Sequence, residues 1–141
     1  MERKASAVWQ GDLKSGKGTV STGSGVLQGQ QYSYTSRFEE GVGTNPEELV
    51  GAAHAGCFSM ALSAILGEDN LVPDKIETAA TVTFKPVEGQ PTVTNVHLEV
   101  EAKVPGITEE QFAEAAAKAK AGCPISRLLN TKISMDAKLV R

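Results

Sequence analysis

The stretch TNPEELVGAAHAGCFSMALSAIL, residues 44–66, decides the architecture. Asn45 is placed to cap a helix, Pro46 suits its first turn, and Glu48 stands three residues beyond the cap in a capping-box pattern. From Leu49 to Leu66 nearly every residue is apolar or small, including Ala52, Ala53, Ala55, Cys57, Ala61 and Ile65. A helix that is apolar on every side belongs in the middle of a structure. The other elements are therefore expected to wrap around this one.

Upstream, the chain alternates like strands broken by glycine. Ala5, Ala7 and Trp9 fall on one side of a first strand, GDLKSGKG makes a turn, and TVSTGSGV is a second strand. A third, QYSYTSRF, puts Tyr32 and Tyr34 on one face. Downstream, Ile76, Thr78, Ala80, Val82 and Phe84 alternate with polar neighbours up to a turn around Gly89. Val96, Leu98, Val100, Ala102 and Val104 then alternate in the same way. Thr108 caps a second helix with Gln111 as its capping-box partner, Ile107 and Phe112 occupy staple positions, and Gly122 ends it. A short turn, CPISRLL, leads to a last strand bearing Ile133, Met135, Ala137 and Leu139. The order βββ-α-ββ-α-β, joined by hairpins, predicts an α+β fold with antiparallel sheets around a central apolar helix.

The 141 residues make one domain, 1–141, large enough to bury roughly 70% of its unfolded surface. With 14 Lys+Arg against 17 Asp+Glu and no basic cluster, nucleic acid is not an expected partner. The opening MERKASAVWQ lacks an apolar signal region, and no run of 18 apolar residues predicts a membrane span. Two cysteines make a poor framework for a secreted domain, so the expected compartment is the cytoplasm.

Those cysteines are the first candidates for chemistry. Cys57 sits mid-helix, where a small buried hydrophobe is the stronger account on the residues alone. Cys123, in Gly122-Cys123-Pro124, stands where a short helix would begin, and unpaired N–H groups there favour a thiolate. A plain capping residue accounts for it equally well. Together the two form a candidate attacking and resolving pair. His54, one turn before Cys57, could make a Cys–His hydrolase couple, but no acidic neighbour is placed to orient it. A packed or hydrogen-bonded histidine is the better reading, and two cysteines with two histidines show no metal-ligand spacing. His97 reads as solvent-facing and carries no signal. Arg37 reads as a strand-end charge, and Glu47 and Glu48 suit a first helical turn on dipole grounds alone.

TNPEELVGAAHAGCFSMALS together with AKAGCPIS closely resembles the OsmC/Ohr family of thiol peroxidases over essentially the whole chain. VWQGDLKSGKGTVSTGSGVL and YTSRFEE resemble its OsmC branch (osmotically inducible protein C) in particular. The resemblance implies reduction of organic hydroperoxides to alcohols. Cys57 matches the attacking cysteine, Cys123 the resolving one, Arg37 the family arginine and Glu47 the family glutamate. It further implies a Cys57 sulfenic acid, a Cys57–Cys123 disulfide, no bound cofactor, an external dithiol reductant such as dihydrolipoyl groups on partner proteins, and an intertwined homodimer. Gly56 departs from the alanine or serine usual before the attacking cysteine, which loosens the helix by up to about 1 kcal/mol.

Physical chemistry makes the same demands. A thiol with pKa near 8.5 is only about 10% ionised at pH 7.5, and burial lowers that further. A buried Cys57 therefore needs a cation, and Arg37 held by Glu47 would supply one. Ten residues separate Glu47 from Cys57, about 15 Å along one helix, so Arg37 and Glu47 of one subunit are expected to meet Cys57 of another. Phe58, Met60, Tyr32, Tyr34 and Leu49 are the candidates for an apolar substrate mouth, with ordinary core packing the stronger account for most of them. A stress-induced module binding small apolar ligands is the alternative of a different class.

Overall fold

The computed structural model describes residues 1–141 and divides into two compact units, Met1–Leu49 and Val50–Arg141. In the first, β1 (Ala5–Gln10), β2 (Lys17–Thr22) and β3 (Gln30–Tyr32) form an antiparallel meander. The Trp9 and Tyr32 rings lie 5.5 Å apart over Gly18. A Cβ at Gly18 would stand 2.5 Å from Tyr32 Cε1 and 2.6 Å from Trp9 Cε3, so only glycine fits beneath them. This unit has almost no interior of its own: Gly18 and Ser36 are its only buried residues.

The third strand is shorter than its alternation suggests. Ser33 Oγ accepts from Ser36 N–H at 3.2 Å while Ser36 Oγ accepts from Ser33 N–H at 2.8 Å. That reciprocal cap starts a helix, α1 (Tyr34–Phe38), in place of continued strand. Tyr34 and Arg37 therefore belong to a helical turn, with the Tyr34 and Phe38 rings 4.9 Å apart.

Helix α2 (Pro46–Glu68) starts as expected, with Glu48 N–H donating to Asn45 Oδ1 at 2.8 Å. The Glu48 carboxylate does not return to the cap, however. It accepts from Thr44 Oγ1 at 2.6 Å.

The second unit continues with β4 (Lys75–Val87), β5 (Gln90–Lys103), α3 (Glu109–Gly122), α4 (Pro124–Leu128) and β6 (Lys132–Val140). Glu88 and Gly89, at φ 51° and 79°, close the long β4–β5 hairpin. The β5 residues Val96, Leu98, Val100 and Ala102 are at most 2% exposed. They pack with Phe58, Leu62 and Leu66 of α2 and with Phe112, Ala115 and Ala119 of α3. The Thr108–Gln111 capping box forms, and the staple pair Ile107 and Phe112 is buried.

Two further features depart from the sequence reading. The α+β class holds, but β6 pairs with β5 in parallel, Val96 opposite Ile133 and Leu98 opposite Met135. Parallel pairing needs a crossover, and α3 with α4 provides the return path that a hairpin would have made unnecessary. Second, α2 is not enclosed. Gly51, His54, Phe58, Leu62 and Leu66 are buried, whereas Ala52, Ala53, Gly56, Met60, Ala64 and Gly67 form an open stripe of small and apolar residues. By length and composition α2 could also cross a bilayer, although its buried face packs as a core helix does.

Phe58 is fully buried at the centre of this packing. Phe58→Ala is expected to lower unfolding free energy by about 3–5 kcal/mol, measured by urea titration.

Candidate active site

Both cysteines are free thiols of the second unit. Cys57 lies on α2, partly buried. Cys123 is wholly buried, closing α3 and capping α4. Its sulfur accepts from Ser126 N–H at 3.3 Å and lies 3.3 Å from Ser126 Oγ. Each thiol shifts the acidity of the other, and the Ile125 N–H lowers the pKa of both.

Their acidities diverge. Burial is the largest influence on Cys57 and pushes its pKa up; the Ile125 N–H offsets part of this, and Cys123 adds to the rise. Burial also pushes Cys123 up, but the Ser126 hydroxyl and N–H, Cys57 and Ile125 together outweigh it, leaving Cys123 below its ordinary value. The sequence reading had burial working against a Cys57 thiolate and the helix start favouring one at Cys123, and both directions are seen within this chain. No cation figures among the groups that shift Cys57.

The expected Arg37–Glu47 clamp is formed in the first unit. Arg37 Nε donates to Glu47 Oε1 and Oε2 at 3.1 and 3.3 Å, and Nη2 donates to Oε1 at 2.9 Å. Such forked contacts fix the guanidinium plane, which also lies 5.3 Å from the Phe38 ring centre. Tyr32, Tyr34, Arg37 and Phe38 border a pocket of about 230 Å³ with Trp9 and Leu13. The other candidates for a substrate mouth are elsewhere. Phe58 is in the core, Met60 is 77% exposed on the open stripe, and Leu49 borders a separate cleft beside β1 and β2.

The residue patterns missed one partner of the thiols. His54 is fully buried and its Nε2 lies 2.7 Å from Ser126 Oγ, while Nδ1 has no partner. The hydrogen-bonded reading of His54 is therefore met, but with a hydroxyl 72 residues away. Ser126 was open to notice, standing three residues after the cap Cys123. Its link to His54 had no local signal. His97 is also less idle than expected, its Nδ1 2.6 Å from Ser134 Oγ and its Nε2 3.1 Å from Asp136 Oδ2. No three His, Cys, Asp or Glu side chains gather as a metal site.

Residues 39–138 match the family described as OsmC-like protein. Peroxiredoxin OsmC of Escherichia coli is 50% identical over 139 residues, 99% of this chain and 97% of that protein. An organic hydroperoxide resistance protein of Xanthomonas axonopodis pv. citri is 29% identical over 100 residues, 70% of this chain and 68% of that one. Among solved structures, an OsmC-like protein of Vibrio cholerae superposes with a TM-score of 0.76 at 18% identity, covering 97% of this chain and 99% of the other. OhrB of Bacillus subtilis, the organic hydroperoxide resistance protein, gives 0.68 at 22% identity, covering 97% and 98%. The chain belongs to the OsmC-like family, and the structural likenesses show the shared fold.

Burial holds the pKa of His54 below its ordinary 6.5. A neutral histidine in the folded state and a protonated one in the unfolded state means that stability is lost as pH falls below 6.5 toward the folded value. Melting temperature is expected to fall across that window, and His54→Gln should remove part of the fall, as read by thermal melts at stepped pH.

Proposed function

We propose that this chain is a cysteine-based peroxidase that reduces organic hydroperoxides to alcohols, with Cys57 attacking and Cys123 resolving. The observation that carries this reading is the pair of free thiols, Cys57 partly accessible on α2 and Cys123 buried at the start of α4, each shifting the acidity of the other. The 50% identical E. coli peroxiredoxin supports the reaction class. Cys57 sulfur attacks the terminal peroxide oxygen, the O–O bond breaks, the alcohol leaves, and Cys57 becomes a sulfenic acid. Cys123 sulfur then bonds to Cys57 sulfur with loss of water. An external dithiol, of the dihydrolipoyl type, reduces the disulfide through a mixed disulfide. The enzyme needs no bound cofactor for this cycle, and a cytoplasmic setting keeps its thiols available.

Cys123 is the stronger acid, yet it is wholly buried, whereas Cys57 is the thiol with partial access. Access supports Cys57 as the attacking thiol. Its raised pKa then calls for a cation, and Arg37, oriented by Glu47, is the group assigned to it from a second copy of the chain. Two observations favour such a homodimer. The open stripe of α2 and the nearly coreless first unit both leave apolar surface that a second copy would cover. Tyr32 and Tyr34, beside Arg37, give the substrate side an apolar character suited to an organic peroxide. Leu49, Phe58 and Met60 have weaker claims to that role.

Intact mass after one equivalent of cumene hydroperoxide should show the loss of two hydrogens, absent in Cys57→Ser and in Cys123→Ser. Retention of both thiols in the unsubstituted protein would end the proposal. Arg37→Ala should lower kcat/KM by about a hundredfold or more. Mixing Arg37→Ala with Cys57→Ser subunits should restore part of the activity through sites shared between copies; no recovery after subunit exchange would refute sharing.

A further inference from the structure

Building on the two-cysteine reading, we propose that His54 and Ser126 are positioning residues that hold Cys123 as the thiolate for the resolving step. Ser126 meets the sulfur with two groups, each at 3.3 Å: its N–H, which donates to it, and its hydroxyl, whose oxygen accepts from the neutral thiol and whose hydrogen could turn to donate to a thiolate. One hydroxyl cannot be aimed by the sulfur alone, since it has a single hydrogen and can rotate. His54 Nε2, at 2.7 Å, is the other group that Ser126 Oγ meets, and it fixes which way that hydrogen points.

Two arrangements are available to a neutral imidazole. If Nδ1 carries the hydrogen, Nε2 accepts from the Ser126 hydroxyl and the Cys123 thiol donates to Ser126 Oγ. A donor N–H is then left buried without an acceptor, because Nδ1 has no partner. If Nε2 carries the hydrogen, it donates to Ser126 Oγ, the hydroxyl donates to sulfur, and Nδ1 keeps only a bare lone pair. The second arrangement aligns every donor toward Cys123 and is the one that accommodates a negative sulfur. The buried environment strengthens such a chain, since few waters compete for its members.

The resolving step balances on this basis. The Cys123 thiolate attacks Cys57 sulfur, the S–S bond forms, and the S–O bond of the sulfenic acid breaks. Hydroxide leaves and becomes water with a proton from solvent; Cys57 sulfur is reduced and Cys123 sulfur oxidised by one electron each. His54 changes neither its proton count nor its charge.

The test separates the two steps. Sulfenic acid formation and disulfide formation are followed by stopped-flow after cumene hydroperoxide, and the ultraviolet thiolate absorbance of Cys123 is titrated in Cys57→Ser. Ser126→Ala should slow disulfide formation about ten- to a hundredfold, the kinetic equivalent of one hydrogen bond to a charged group. It should also move the thiolate titration to higher pH, while Ser126→Thr, which keeps the hydroxyl, should restore both. His54→Gln, which keeps an N–H donor, should stay near the parent, and His54→Leu should behave like Ser126→Ala. An unchanged titration in Ser126→Ala or His54→Leu would overturn the inference even if Cys57 proved unreactive toward peroxide. Failure of Cys57 to form a sulfenic acid, with the titration shifting as expected, would sink the peroxidase cycle alone. Should Ser126→Ala fail to fold, the comparison of His54→Gln with His54→Leu decides.

Discussion

The hydrogen bonds between Ser126 and the buried sulfur of Cys123 are the constraint on which the second unit depends. One residue there ends α3 and begins α4, so its backbone is fixed from both sides. Its side chain caps α4 by accepting a backbone N–H, a task usually given to a hydroxyl or carboxylate. Using sulfur for it places a thiol in the core with its polarity already answered. Ser126 couples that thiol to His54, and the Ile125 N–H lowers the pKa of both cysteines. A cap of ordinary oxygen chemistry would hold the turn equally well and leave no second sulfur beside Cys57.

Most of the fold could be read from local patterns because its signals are local. Val96, Leu98, Val100 and Ala102 alternate into the core as their period demands, and Thr108 with Gln111 caps α3 as its spacing demands. Failures occurred where the deciding partner was distant or the competing signal subtle. QYSYTSRF has strand-like alternation, but the Ser33–Ser36 exchange of hydrogen bonds outweighs it. The direction of β6 depends on how α3 and α4 return the chain, which no residue of β6 announces. Arg37 and Glu47 meet as the need for a fixed cation led one to expect, yet the His54–Ser126 bond spans 72 residues and left no trace in spacing. The direction of each thiol's acidity was legible, from burial at Cys57 and the helix start at Cys123, but the share of Ser126 in it was not.

The composition of α2 makes sense once its two faces are separated. The buried face carries the large residues Phe58, Leu62 and Leu66, which fill space against β5 and α3. The open face keeps alanine and glycine, with nothing near a Cβ at Gly56 or Gly67. Small residues on an open helical face allow a close approach of whatever covers it. Under the proposed homodimer, the apolar character around the helix would answer two different neighbours, only one of which belongs to the same chain.

The hairpin and α3 between Cys57 and Cys123 have a consequence for redox poise. A bond between the sulfurs would close a loop of roughly 65 residues, and that cross-link restricts the unfolded chain by about 4 kcal/mol on chain-entropy grounds. Under the proposed cycle, folding would raise the local concentration of one thiol around the other and draw the couple toward its oxidised form. A lone thiol reductant would be expelled again by the neighbouring sulfur, whereas a reductant with two thiols escapes by closing its own ring.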